Sequence, residues 1–362
     1  MRITSVDTFP VSLPLRTPMQ MSHVTIDCSH NVLVRISTDD GLVGWGEGVQ
    51  AFDLTGETQG RIRAGIDALG KAIVGRDPLA RTAIWLDLCR AVHGNATAIG
   101  ALDIALHDLA GKAYGVPVAE LVGGLARERI PALVLLGSGD PDADLATFKA
   151  RYDEGIRWFK LKVGIGAETD DVETLARMAD AADDVMICAD ANAAWSEHQA
   201  ARFLERLRDV NLRFVEQPTR RRDALVRLAG HSPVALCADE SANSLDDVLS
   251  FGGTSLGGVS LKLIKLGGIT GIMRGAALCE QLGLQVNVAG KIAESAISAA
   301  ANLHCAAAMT ETSYGCSPSN HVLARDVCAA PPRIVDGAYT VPHASGLGIE
   351  VDEDLVAALA SD

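Results

Sequence analysis

The chain has 362 residues, 48% hydrophobic and 22% charged, and its 46 acidic against 32 basic side chains leave a formal net charge of −14. That composition excludes a disordered, collagen-like or coiled-coil chain, and the negative surface disfavours nucleic acid and anionic membranes as partners. At roughly 150 residues per domain the length predicts two domains or one large barrel, with core enough to fold without disulfides.

Eight cysteines are scattered, none in a C-x-x-C pair, so a zinc ribbon or thioredoxin-type site has no support. They read as small buried apolar residues. Free thiols and an N-terminus without an apolar leader point to the cytoplasm. No window is apolar over the length that crosses a membrane.

The first ~50 residues read as strands. Residues 32–36 are followed by the turn signal Asp39-Asp40-Gly41 and a second run at 42–45. From 58 to 121 the pattern turns helical; residues 95–114 carry Ile99, Leu102, Ile104, Leu106 and Leu109 at helical spacing. Residues 1–125 thus predict an α+β domain.

Beyond it, short apolar runs alternate with amphipathic stretches. The runs are 132–136, 158–163, 185–190, 214–216, 234–239, 258–263, 284–288 and a weak one at 312–316. Seven or eight such alternations predict a parallel βα barrel over 126–330. An open doubly wound sheet would alternate in the same way, but no G-x-G-x-x-G follows the first run. The tail, 331–362, is expected to pack back on the first domain.

The ends of these runs carry the chemistry. Lys160 and Lys162 stand two apart and so share one strand face. If that face is the interior, burial and like charge depress one of the two pKa values and make a general base; otherwise they are a solvated pair. The next three runs end at Asp190, Glu216 and Asp239, each about one βα repeat beyond the last. Any one alone reads as a helix N-cap. Together on one rim they repel unless a cation sits among them, and hard oxygen ligands suit Mg²⁺, with Mn²⁺ as the alternative. Asn192 shares the face of Asp190. Glu240 points away from Asp239 if the strand continues and reaches a lysine if the chain turns.

Lys262 ends the following run, opposite the first lysine pair, whereas Lys265 reads as structural or solvated. Glu294 stands at the same rim, as a lysine or substrate contact or as an acid favoured by a helix N-terminus. Lys291 has no assigned role. A base, an acid and a metal between them are what proton removal beside a carboxylate requires, with the metal stabilising the enediolate.

These residues resemble the enolase superfamily, in particular its muconate-lactonizing-enzyme (mandelate racemase/muconate cycloisomerase-like) subgroup. The likeness runs through Asp39-Asp-Gly-Leu-Val-Gly-Trp-Gly-Glu47, Ala101-Leu-Asp-Ile-Ala-Leu-His-Asp108, Leu121-Val-Gly-Gly124 and the Lys160/Lys162 pair. It continues through Asp190 with Asn192, Val215-Glu-Gln-Pro218, Ala238-Asp-Glu-Ser241, Lys262 with Gly267-Gly268, and Gly346-Leu-Gly348. It implies a (β/α)7β modified TIM barrel under an α+β cap that the tail completes. It further implies Mg²⁺ on Asp190, Glu216 and Asp239, Lys162 and Lys262 as opposed acid and base, Lys160 tuning Lys162, and Asn192 and Glu240 behind the metal ligands.

The activity implied is that of an isomerase, a cycloisomerase or racemase/epimerase acting on a small carboxylate through a metal-stabilised enolate, in a homo-oligomer. A dehydratase using the same enolate and a non-catalytic carboxylate-binding barrel are the alternatives. Cap loops at 18–23 and 49–53 set the substrate, with Met19, Met21 and Phe52 as apolar walls and His23 as a polar anchor. After the last barrel run this chain has Cys316-Ser-Pro-Ser-Asn320, where the dipeptide-epimerase members carry a D-x-D pair.

Overall fold

The computed structural model describes residues 1–20, 25–310 and 312–360. Met21 and His23 lie outside them. Three antiparallel strands open the chain: β1 (Ile3–Gln20), β2 (Thr25–Thr38) and β3 (Val43–Val49), in the order β1-β2-β3. Gly41, at φ +87°, makes the expected turn between β2 and β3. Prolines 10, 14 and 18 fall on β1, an edge strand, where the missing N–H groups break no central ladder.

Four helices follow: α1 (Gln59–Ile73), α2 (Arg81–Ala91), α3 (Ala96–Tyr114) and α4 (Val118–Val122). Helix α3 is buried on every side, with 15 of its 19 residues enclosed, because it lies between the cap sheet and the barrel. The alternating Gly44, Gly46 and Gly48 of β3 face it. A Cβ at Gly46 would stand 1.9 Å from the Ala101 carbonyl oxygen, and one at Gly44 2.3 Å from that of Ala105. Backbone meets backbone here, so the contact cannot relax by turning a side chain. Gly46→Ala is expected to lose about 1–3 kcal/mol of stability through overpacking, read as a lowered thermal midpoint; an unchanged midpoint would refute this contact.

The barrel then runs β5 (Leu133–Leu136), β6 (Trp158–Lys162), β7 (Met186–Asp190), β8 (Val215–Glu216), β9 (Leu236–Ala238), β10 (Gly258–Leu261), β11 (Gln285–Ala289) and β12 (Cys316–Ser317), after a short β4 (Arg129–Pro131). All eight are parallel and neighbour one another in chain order. A parallel bridge from Ala132 to Cys316 brings the last strand against the first.

The connecting helices are α5 (Pro141–Asp153), α6 (Glu168–Asp180), α7 (Glu197–Arg206), α8 (Arg222–Ala229), α9 (Leu245–Leu249), α10 (Leu263–Leu266) with α11 (Ile269–Leu282), and α12 (Ala296–Ala308). Their ends follow local chemistry; Ser196 and Gln199, for example, form a reciprocal capping box on α7. Seven βα units and a final strand make the (β/α)7β barrel, with the antiparallel cap beside it. In the tail, β14 (Ala338–Thr340) pairs with β4 on one side and with β13 (Ile334–Val335) on the other, while Glu353 of α13 (Glu353–Leu359) approaches Arg35 of the cap to 3.6 Å.

Buried carboxylates join cap, barrel and tail. Glu47 accepts from the N–H groups of Ser295 (3.0 Å) and Ser298 (3.2 Å) at the start of α12. Asp103 accepts from Thr270 N (2.9 Å) at the start of α11, and Asp108 from Trp45 N and Leu347 N, both 2.9 Å. Six cysteines are buried as expected. Two depart from that reading: Cys28 is half-buried and Cys89 is exposed, at a strand and a helix position turned from the core. Among the described residues no helix is long and apolar enough to cross a membrane.

Candidate active site

Six of the lysines and carboxylates expected at the barrel mouth line one cavity: Lys160 and Lys162 from β6, Asp190 from β7, Glu216 from β8, Asp239 after β9 and Lys262 after β10. Asn192 and Glu240 also line it. In-register pairing of Lys162 with Asp190 and of Asp190 with Glu216 sets these three groups side by side. β6 and β10 are four strands apart in a ring of eight, so Lys162 and Lys262 stand on opposite walls with the three carboxylates on the strands between them. A wider cleft beside α5 and the tail, lined by Arg16, Arg151 and His321, holds no such convergence of acids and lysines.

Each carboxylate is held by an ammonium group. Lys160 Nζ donates to Glu216 Oε2. Lys162 Nζ donates to Asp190 Oδ2 (2.6 Å) and Asn192 Oδ1 (2.7 Å), and Lys262 Nζ to Asp239 Oδ2 (2.6 Å). These pairings alter the electrostatics foreseen for the lysine pair. Burial opposes the Lys160 charge, yet Glu216 against it lifts its pKa above the ordinary value rather than lowering it. Burial likewise works against Lys262, which Asp239, Glu216 and Glu240 raise. Asp239, despite burial, is held well below the usual carboxylate range by Lys262 and Lys265.

Glu240 lies where the chain turns after β9. Its Oε1 accepts from Asn192 Nδ2 (3.2 Å), not from a lysine, and its buried Oε2 has no partner. Burial, then Asp239 and Asp190, push its pKa up to about 8. Among the described residues no three His, Cys, Asp or Glu side chains converge tightly enough to share an ion as they stand. The donor set nevertheless fits a hard divalent cation: three carboxylates on adjacent strands, with an unpartnered carboxylate oxygen beside them.

Of the supporting residues, Lys265 takes the structural one of its two expected roles, and the others escaped the sequence reading. Lys265 is fully buried and donates to Asp239 Oδ1 (2.6 Å), Asp239 O (2.7 Å) and Ser260 O (2.9 Å). Gln217, at φ +35°, accepts from Asp239 N (2.9 Å) and donates to Ser241 Oγ (2.7 Å), tying the ends of β8 and β9. Ser260 donates to Glu216 Oε1, and Asn287, with its amide turned, accepts from Lys160 Nζ at 3.1 Å. The available signal was a polar residue two positions from another inward residue in an apolar strand: Ser260 before Lys262, and Asn287 within β11.

Three other positions differ from expectation. Phe52 is 69% exposed and does not line the cavity; the next residues of its loop, Asp53 and Leu54, do. Met19 packs half-buried against the core opposite Ile26 and is not among the residues that line the cavity. The Glu294 carboxylate meets no lysine ammonium and does not line the cavity. It turns behind the rim to accept from Asn302 Nδ2 (3.1 Å) and Ser319 N (3.2 Å).

Burial, then Glu47, raises the Glu294 pKa to about 8. The folded state therefore holds this proton at pH values where the unfolded chain, titrating near its ordinary value, has released it. Stability from this group is full at low pH and is lost as pH rises from about 4.5 through 8, on the order of 5 kcal/mol in all. Glu294→Gln is expected to remove that slope. The thermal-midpoint difference between variant and wild type should grow in the variant's favour from pH 5 to pH 8; a constant difference would contradict the buried proton.

Comparison with known proteins agrees with this architecture. Residues 3–123 match the mandelate racemase / muconate lactonizing enzyme N-terminal domain, and residues 144–355 the enolase C-terminal domain-like family. A chloromuconate cycloisomerase of Cupriavidus necator is 34% identical over 98% of both chains. The muconate lactonizing enzyme of Pseudomonas fluorescens, solved with muconolactone, superposes with a TM-score of 0.94 at 30% identity, covering 99% of each chain. The N-succinyl Arg/Lys racemase of Bacillus cereus gives 0.93 at 26% identity, over 99% of this chain and 98% of that one. The chain belongs to the muconate-lactonizing-enzyme subgroup of the enolase superfamily and is an isomerase of that type.

Proposed function

We propose that the protein isomerises a small carboxylic acid by moving a proton at the carbon next to its carboxylate, with Lys162 and Lys262 as the acid/base pair. The observation that carries this reading is the placement of two lysines on opposite walls of one cavity with three carboxylates between them. One lysine reaches one face of a planar carbon and the second reaches the other. Racemisation uses both faces, whereas cycloisomerisation needs a proton at one.

Asp190, Glu216 and Asp239 would hold Mg²⁺, or Mn²⁺, which when bound neutralises the substrate carboxylate and the negative charge gathering on it. Lys160, fastened to Glu216, keeps that carboxylate in place from below, and Asn192 orients Lys162 through its 2.7 Å contact. Lys265 and Gln217 fix Asp239 from the other side.

The names of the relatives supply the first substrates to try: muconates with their lactones, and N-succinyl amino acids. The test is incorporation of solvent deuterium at the α-carbon in D₂O by the Mg²⁺-loaded protein, followed by mass. Exchange with one of these classes supports the reading, and absence of exchange and turnover with both would overturn it.

A further inference from the structure

We infer that Gly137 is a positioning residue for Lys162: its missing side chain leaves the room in which that lysine holds its place at the cavity. This rests on the acid/base reading of Lys162 above. Gly137 follows β5, the strand beside β6, and has φ +154°. A Cβ there would stand 2.5 Å from the Lys162 Cβ and 2.9 Å from its Cγ. On the other side of the lysine, Asp190 Oδ2 and Asn192 Oδ1 accept from its ammonium at 2.6 and 2.7 Å. Lys162 thus stands between a bare backbone on the β5 side and two polar acceptors on the β7 side.

Rotation about χ1 moves Cγ but not Cβ, so turning the side chain cannot relieve the first of these contacts. Backbone retreat is opposed on both sides. Ser138 N donates to Oδ1 of the buried Asp144 (2.8 Å), which ties the loop after β5 to α5. Asp140 N donates to Ser138 Oγ (3.1 Å) and closes that loop on itself. On β6, Leu161 is paired with Leu136 and Lys162 with Asp190. A methyl group at 137 therefore presses on the Lys162 stem as overpacking does. The turn that frees Cγ carries Nζ away from Asp190 and Asn192. Lys262, four strands away, keeps its place. Gly137 consequently governs the face of the substrate that Lys162 serves and leaves the opposite face alone.

The test compares Gly137→Ala with Gly139→Ala, a control in the same loop at φ +79° whose Cβ would meet the Ile165 side chain at 3.0 Å. Competitive acetylation of the Mg²⁺-loaded proteins, read lysine by lysine by mass, reports each ammonium without turnover. Gly137→Ala is expected to raise Lys162 labelling several-fold relative to Lys262, and Gly139→Ala to leave that ratio as in wild type. In D₂O, Gly137→Ala should lose exchange roughly 10²-fold for the substrate configuration that Lys162→Ala loses, the cost of a misplaced reacting group, and keep it for the other. Thermal midpoints add a double-mutant cycle with Lys162→Gly. Gly137→Ala should lower the midpoint of wild type and lower that of Lys162→Gly much less. If Gly137→Ala alone does not fold, folding of the double variant supports the contact and its failure overturns it. An unchanged labelling ratio, the same change in Gly139→Ala, or equal midpoint losses in both backgrounds would each overturn the assignment. Should wild type exchange nothing, the acid/base reading fails, while labelling and the cycle still decide whether Gly137 places Lys162.

Discussion

Replacing Asp239 with Ala is expected to destabilise the protein by about 3–5 kcal/mol, and adding Lys265→Met to that variant should restore most of the loss. Lys265 is completely buried, and three acceptors hold its ammonium: the Asp239 carboxylate, the Asp239 carbonyl and the Ser260 carbonyl. Remove the carboxylate and a full charge remains in the barrel wall with only carbonyl dipoles against it. Lys262 also loses its partner, but it is 13% exposed at the cavity and can turn to water. The penalty therefore belongs mainly to Lys265, and an apolar side chain of similar length removes it. Unfolding midpoints of the two variants, taken in a chelator so that metal affinity does not enter, decide the matter. A double variant no more stable than Asp239→Ala would show that the loss comes from backbone disorder after β9 and not from the stranded charge.

Lys162→Ala and Lys262→Ala should each lower turnover by about 10²–10⁴-fold, the usual contribution of a positioned acid or base, with much smaller changes in substrate affinity. Their exchange behaviour should differ. If the two lysines serve opposite faces, each variant loses exchange for one configuration of a chiral substrate and keeps it for the other. Equal loss for both configurations would place both lysines on one face. Lys160→Ala should impair both directions together, since Lys160 acts through Glu216.

Much of this site was legible in the chain because a barrel rim is written at the ends of apolar runs. Lys160, Lys162, Asp190, Glu216, Asp239 and Lys262 each close such a run, and a strand's alternation tells which way each points. Residues beneath the rim were harder. Lys265 looks like a loop lysine because it follows the run, yet the short α10 turns it back under Asp239. Gln217 sits in a left-handed conformation that no simple strand pattern foretells. Cap residues were least legible. In the cap loop, three neighbours (Phe52, Asp53 and Leu54) meet solvent, a lysine and the cavity respectively, and only the loop's tertiary path sorts them. The rise in the Lys160 pKa is hidden for a related reason: its like-charged neighbour is visible in sequence, whereas its partner on β8 is 56 residues away.

The cap loop is suspended between two fixed posts. On one side Glu47 grips the start of α12 in the barrel; on the other Glu57 holds Thr97 of α3, and Ala51 and Glu57 bridge its base. Residues between the posts can therefore change without loosening the barrel or displacing Lys162 and Lys262. On the proposed function, recognition and chemistry would be mechanically separate: one rigid centre would pass among substrates through changes in a few loop residues.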